Sequence, residues 1–267
     1  MLRDITLGQY YQTESIVHRL DPRVKIGGTV IYIISLFLFT NWVGYLIAAL
    51  FLGLVIKFSK VPFRFMVKGM RSILFLLLVT LGFNLFLTPG TAAVSFWKLT
   101  ITWEGIYVAV TMAVRLMLLI IGSSVMTLTT TPNNLTDGIE KLLNPLKVFK
   151  VPVHELAMMM AIALRFIPIL LEETDKIMKA QIARGADFES GNLIKRAKAM
   201  VPLLVPLFIA AFRRANDLAM AMEARCYRGG EGRTKMKPLI YKNRDYVAYL
   251  ILVIYLVGSV FVGRMSL

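Results

Sequence analysis

Two short runs hold the residues best placed to do chemistry: Gln181-Ile182-Ala183-Arg184-Gly185-Ala186-Asp187 and Met222-Glu223-Ala224-Arg225-Cys226-Tyr227. Each sets an arginine at the end of an Ala- and Met-rich helical run. Arginine offers five donors in a rigid planar fork, suited to a carboxylate or a cluster of carbonyls. Small neighbours leave that fork on a slim tip able to enter a groove. The chemistry these residue types support is recognition rather than turnover. A second reading stands beside it. A helix C-terminus carries free carbonyls and partial negative charge, so each arginine would only cap its own helix, with Gly185 as the left-handed residue that follows.

Other chemistries have less to work with. No Gly-rich loop ending in Gly-Lys-Ser/Thr is present, so any ATP is hydrolysed by a partner. The acids are scattered. Glu172, Glu173 and Asp175 come nearest to a cluster, but Lys176 and Lys179 on the same helix read as solvated ion partners. We expect no catalytic residue, no metal site and no cofactor. Cys226 is the only cysteine, which excludes an intrachain disulfide. His18 reads as a surface residue. Arg115 falls inside an apolar run, where a charge is a functional candidate unless it snorkels outward or pairs with helix-end carbonyls.

The elements that position these residues belong to a membrane protein. The chain has 267 residues, 57% of them hydrophobic, with a mean hydropathy of +0.66. Soluble domains run nearer about 45–50% apolar. The net charge of +15 falls between apolar spans instead of interleaving with exposed aromatics, so orientation in a bilayer explains it and nucleic acid does not. The first residues lack a cleavable apolar leader, so the first span is expected to insert directly.

Apolar runs over 26–40, 43–56, 73–87, 106–129 and 246–262 predict five transmembrane helices. Asp21-Pro22 opens the first, the acid capping and the proline taking the first turn. Lys57, Lys60, Arg64, Lys68 and Arg71 form a basic loop without an acid, which positive-inside places in the cytoplasm. Trp42, Trp97 and Trp103 belong at the outer interface. Asn84 is expected to bond to a neighbouring helix, and Thr100-Ile101-Thr102 to be extended. Most of the 31 basic residues fall between 131 and 245, which is therefore cytoplasmic. The domains read as 1–130 with four spans, 131–245 as a cytoplasmic or interfacial coupling region, and 246–267 as a final span. The N-terminus is then inside and the C-terminus outside.

Within 131–245 a short helix over 135–146 precedes two long ones. The first runs over 152–183 with Pro168 as a kink, the second from 191–192 to about 227 with Pro202 and Pro206 as kinks. Both pass from apolar to charged and end near Arg184 and Arg225, a weak internal duplication. Their apolar stretches are too short and interrupted to span, which suits helices lying against the inner leaflet and crossing as an X. Met158, Met159, Met160 and Met200 offer either core packing or an adaptable surface for a partner.

These residues resemble the transmembrane coupling protein, the T component, of energy-coupling factor transporters. The likeness covers nearly the whole chain. It includes Leu20-Asp21-Pro22-Arg23-Val24-Lys25, the segment from Thr131-Pro132 to Leu146, Ala183-Arg184-Gly185, and Ala221-Met222-Glu223-Ala224-Arg225 running into Tyr227-Arg228-Gly229-Gly230. The resemblance implies an all-α integral membrane protein of about five spans, plus a cytoplasmic coupling region of long, kinked, crossing helices. It implies a non-catalytic subunit of a vitamin or metal-ion importer in the cell membrane. Its implied partners are two ABC-type ATPases, a substrate-binding membrane subunit and the lipid bilayer. Ala183, Arg184 and Gly185 would dock on one ATPase and Ala224, Arg225 and Cys226 on the other. One departure matters: Cys226 stands where the family has Gly or Ser. That predicts no tight left-handed turn after Arg225, with the helix running on toward Gly229.

Two rivals remain from other classes. A membrane-embedded lipid-modifying enzyme needs clustered acids or histidines at the interface. A self-contained secondary transporter needs polar groups at mid-membrane and broken helices within the spans.

Overall fold

The computed structural model describes residues 10–39, 41–71, 74–96, 99–188, 192–229, 236 and 238–264. Trp97, Gly191 and Gly230 lie outside them. The chain sorts into two units. One is built from 8–142 and 239–267, the other from 143–238 with the extreme N-terminus.

The first unit starts where Asp21 begins α1 (Pro22–Leu38). As expected, the Asp21 carboxylate accepts from the Arg23 amide at 2.9 Å, and Pro22 takes the first helical position. The Arg23 side chain then closes a fork on the same carboxylate, with Nε 3.0 Å from Oδ1 and Nη2 2.9 Å from Oδ2. Nη2 also donates to the Leu239 carbonyl at 3.1 Å, and the guanidinium lies 3.8 Å over the Tyr241 ring. Asp245, 1% exposed, opens α9 (Asn243–Arg264) and accepts the amides of Asp21 and Lys242, each at 2.8 Å. The Leu-Asp-Pro-Arg run is therefore a brace holding the first and last helices together at one end. Asp245→Ala leaves two N–H groups without acceptors. We expect a loss of about 2–5 kcal/mol, read as a lowered thermal midpoint in detergent, with a smaller loss for Asp245→Asn.

Beside α1 stand α2 (Trp42–Ser59), α5 (Trp103–Thr129) and α6 (Pro132–Leu143), while α3 (Phe63–Arg71) and α4 (Leu74–Leu87) pack against α5. Tyr32, Leu36, Phe39, Tyr45, Leu52, Met66, Leu118, Val125 and Tyr255 form the shared core. Gly122 lets α5 approach α1, since a Cβ there would lie 2.6 Å from the Tyr32 ring. Between α4 and α5 runs an antiparallel hairpin of β1 (Ala92–Phe96) and β2 (Leu99–Thr102). The second strand contains the segment expected to be extended.

The outward surfaces are apolar. Leu50 is 62% exposed, Phe75 77%, Phe83 63% and Phe261 66%. A continuous surface of this kind is far larger than water tolerates and is lipid-facing. The protein is an all-helical membrane protein apart from that hairpin. Each expected apolar run overlaps one of α1, α2, α4, α5 and α9. Of these, α2, α5 and α9 are long and apolar enough to cross a bilayer, while α1 (17 residues) and α4 (14 residues) are shorter.

Several local readings change. The basic stretch 57–71 is not a loop: Lys57 ends α2, Lys60 is its left-handed cap at φ 54, and Arg64 lies on α3. Buried Val61 and Met66 pin that helix against the core. Asn84 donates to Thr80 O of its own helix at 2.8 Å rather than across to another, the usual way a short polar side chain satisfies itself on a helix. Arg115 pairs with a helix end, one of the two structural roles anticipated. Its Nη2 reaches the carbonyl of Phe39, the cap of α1, at 3.3 Å, and its Nε donates to Tyr45 Oη at 2.9 Å. His18 is half-buried rather than at the surface. Its Nε2–H donates to Tyr11 O at 3.0 Å, so Nδ1 accepts from the Ser15 hydroxyl at 2.6 Å. Burial holds its pKa below the usual range. Trp42 packs edge-on to Tyr107, and Trp103 is 66% exposed.

The second unit holds a 3-10 stretch, Asn144–Phe149, then α7 (Val153–Ala183) and α8 (Leu193–Ala224). The short helix expected over 135–146 is thus divided between α6 and that stretch. α7 passes through Pro168 without interruption. Its 31 residues are long and apolar enough to cross a membrane, against the expectation from its broken apolar pattern. Because the helix runs unbroken through Pro168, it contains an 18-residue stretch with at most two charges and a mean hydropathy of 1.7, where the sequence pattern broke the apolar run.

Candidate functional site

Both long helices end the same way. α7 stops at Ala183 with Arg184 as its cap. Gly185 follows at φ 88, its amide donating to Ile182 O at 2.9 Å, and the Ala186 amide donates to Gln181 O at 3.0 Å. α8 stops at Ala224 with Arg225 as its cap. Cys226 follows at φ 56, its amide donating to Glu223 O at 2.8 Å, and the Tyr227 amide donates to Met222 O at 3.1 Å. Each end is a complete Schellman motif, in which a left-handed residue folds two amides back onto the last turn.

This overturns the expectation drawn from Cys226. A side chain in the left-handed region costs roughly 1–2 kcal/mol, which argued against a tight turn there. Two backbone hydrogen bonds at about 0.5–1.5 kcal/mol each offset that cost. The expected outcomes run in opposite directions. Cys226→Gly relieves the strain and slows amide exchange at Tyr227. Cys226→Val, β-branched at positive φ, speeds it by roughly tenfold or more. Equal exchange in all three proteins would show that the turn is not held as described.

Because the backbone closes its own carbonyls, neither arginine is needed as a side-chain cap. Arg184 and Arg225 are both exposed, as are Ala183, Gly185, Ala224 and Cys226. Among the described residues neither guanidinium has a hydrogen-bond or ion-pair partner. The slim profile expected from small neighbours is present at both ends.

The helices run antiparallel. Glu173 of α7 accepts from Arg214 of α8 at 2.8 Å. Beyond that pair, an open cleft of about 470 Å³ is lined by Met158 and Ile162 of α7 and by Leu218, Met222, Arg225 and Cys226 at the end of α8. Arg225 therefore stands beside the first third of α7, and Arg184 at its far end, a separation of roughly 35 Å at 1.5 Å per residue. The Glu173–Arg214 pair is eleven residues from Arg184 and eleven from Arg225 along their respective helices. Each tip thus ends an arm of roughly 16 Å from that ion pair. The sequence displayed these charges but not their pairing.

The methionines occupy mixed positions. Met159, Met160 and Met200 are exposed and Met158 is half-buried in the cleft. A wider apolar surface lies on α8. Val201, Leu204, Val205, Phe208, Ile209 and Phe212 are all more than half exposed, and their spacing puts them on one helical face. Phe208 and Phe212 pack ring against ring at 5.0 Å. Counting the period through Pro202 and Pro206 reveals this stripe in the sequence; treating the prolines as kinks hides it.

For other chemistry the site offers little. Glu173, the centre of the nearest acid cluster, is engaged by Arg214. Among the described residues no group of three or more His, Cys, Asp or Glu is placed to hold a metal ion.

The fold and these paired ends define a helical membrane protein with two exposed arginine caps and an exposed apolar helix face. Comparison with known proteins gives the class its family. A family model described as cobalt transport protein matches residues 13–236. The chain is 58% identical over 252 residues to the energy-coupling factor transporter transmembrane protein EcfT of Clostridium kluyveri, covering 94% of this chain and 93% of that one. It is 55% identical to the EcfT of Ruminiclostridium cellulolyticum, covering 96% of each, and 47% identical to that of Bacillus subtilis, covering 92% and 93%. The chain belongs to the family of energy-coupling factor transporter transmembrane proteins.

Proposed function

We propose that the chain is the coupling subunit of an ATP-driven importer for a vitamin or a metal ion. It hydrolyses nothing itself. It transmits motion from two ABC-type ATPase subunits to a substrate-binding membrane subunit. The observation that carries this reading is the matched pair of tips: two exposed arginines, each on a Schellman turn, at equal reach from one interhelical ion pair. Arg184, with Ala183 and Gly185, enters a groove on one ATPase. Arg225, with Ala224 and Cys226, enters a groove on the other. A self-capping helix has no use for so symmetric an arrangement.

The tips have to follow the ATPases, since a ligand shifts an equilibrium only through contacts that differ between its states. When ATP draws the two ATPases together, the arms turn about the Glu173–Arg214 ion pair. The opposite, apolar parts of the pair then shift against the substrate-binding subunit. Met158, Met159, Met160 and Met200 contact that subunit, and the α8 face from Val201 to Phe212 offers it a further apolar surface. Residues 131–245 form the cytoplasmic or interfacial coupling region. Glu172, Glu173, Asp175, Lys176 and Lys179 keep the second half of α7 out of hydrocarbon. The N-terminus is cytoplasmic and the C-terminus outside.

Reconstitution separates this from a self-contained transporter or a lipid-modifying enzyme. Vesicles holding this chain alone are expected to show neither ATP hydrolysis nor flux of substrate. Adding both ATPases and a substrate-binding subunit restores the two together. Flux through the chain alone, or a lipid product from it, would overturn the reading.

A further inference from the structure

A half-open cavity of about 170 Å³ lies in the first unit, walled by α1, α2, α5 and α9. Its lining is apolar along most of its length, from Leu20 and Val55 at one end to Phe51 and Tyr32 at the other. Lys25 is the only charged residue in it. Two of the Lys25 ammonium protons go to carbonyls, His18 O at 3.1 Å and Thr129 O at 2.8 Å. The third has no partner among the described residues, and no carboxylate pairs with the ammonium.

A second cation stands nearby. Arg244 is close enough for its charge to act on Lys25, as are the carboxylates of Asp21 and Asp245, and among the described residues the Arg244 Nε is buried without a hydrogen-bond partner. Ala248 and Ile251, which line the cavity, follow Arg244 at helical spacing, so all three share one face of α9. The acids of this cluster are already engaged: Asp21 by Arg23, and Asp245 by two amides. Counting Arg23, Lys25 and Arg244 against Asp21 and Asp245 leaves one positive charge. Burying cationic donors with unused N–H groups is costly unless an anion completes them.

We propose that this cavity holds one acyl chain of an anionic phospholipid, with its phosphate on Lys25 and Arg244. The apolar trough extends from Lys25 to Tyr32, seven residues along α1 or roughly 10 Å, which accommodates a chain segment rather than a small polar solute. Its outer wall is the lipid-facing surface around Leu250 and Ile251, both at least half exposed. The bound lipid fills the space between the first and last helices, next to the Asp21–Asp245 brace. It thereby acts as a structural element of the membrane unit.

Native mass spectrometry of the full chain in mild detergent tests this. The probes are palmitoyl-oleoyl phosphatidylglycerol and the phosphatidylcholine with the same chains. The wild type is expected to retain phosphatidylglycerol roughly tenfold better, two cations near a membrane surface each favouring an anion. Lys25→Gln combined with Arg244→Gln brings the two lipids to parity. Ala248→Trp fills the trough, leaves the charges in place and lowers retention of both lipids. Soluble glycerol phosphate does not displace the lipid. Equal retention of both lipids by the wild type overturns the proposal, as does an unchanged preference in the charge variant. Unchanged retention in Ala248→Trp, or displacement by glycerol phosphate, overturns the acyl-chain placement.

Discussion

Arg184→Glu and Arg225→Glu are each expected to stop substrate uptake and to release one ATPase from the purified complex, while the chain itself folds normally. Both side chains are exposed and have no partner among the described residues, so reversing their charge removes no internal contact described there. All of the cost falls on the partner interface. Removing one member of a buried, hydrogen-bonded charge pair costs about 2–5 kcal/mol, and reversal adds repulsion. At about 1.4 kcal/mol per tenfold, docking at that tip weakens by a hundredfold or more. The other tip still holds its own ATPase, so single variants are expected to retain one ATPase and the double variant neither. Arg184→Lys keeps the charge but loses the planar fork and is expected to fall between. Normal recovery of both ATPases with undiminished uptake in the single variants would remove the tips from the mechanism.

The second large effect concerns the other side of the coupling pair. Phe208 is 67% exposed and sits mid-stripe on α8. Phe208→Asp is expected to detach the substrate-binding subunit and leave both ATPases in place. Burying an aromatic side chain at an interface contributes about 1.5–3 kcal/mol, and a carboxylate in its place adds an uncompensated desolvation cost. Leu203, on the buried side of the same helix at 6% exposure, gives the contrast. Leu203→Asp disrupts the helix pair and is expected to lose every partner together. Retention of the substrate-binding subunit by Phe208→Asp would move that contact off the stripe.

The architecture was legible in the sequence where one physical rule dominates. Long apolar runs became α1, α2, α4, α5 and α9 because a bilayer demands helices that satisfy their own backbone. Asp21-Pro22 opened α1 because an acid accepts a free amide and proline needs none. The misreadings arose where two rules compete. Cys226 takes a left-handed turn because two backbone bonds outweigh one side chain's strain. Residues 63–71 are helical rather than looped because Met66 has a core to enter, and that core is assembled from distant segments. Asn84 bonds to Thr80 O within its own helix because that acceptor is always at hand. At the site, the sequence displayed both arginines and their small neighbours. The Glu173–Arg214 ion pair and its equal distance from the two tips are properties of packing.

The central claim is that the two tips are held by separate ATPases and move with them. Spin labels at Ala180→Cys and Ala221→Cys, each four residues before a tip, with Cys226→Ser to remove the native thiol, report that motion directly. Pulsed dipolar spectroscopy on the full complex is expected to give one distance without nucleotide and another, several ångströms different, with a non-hydrolysable ATP analogue. The chain alone is expected to give the same distance with and without the analogue. An unchanged distance in the full complex would contradict the account.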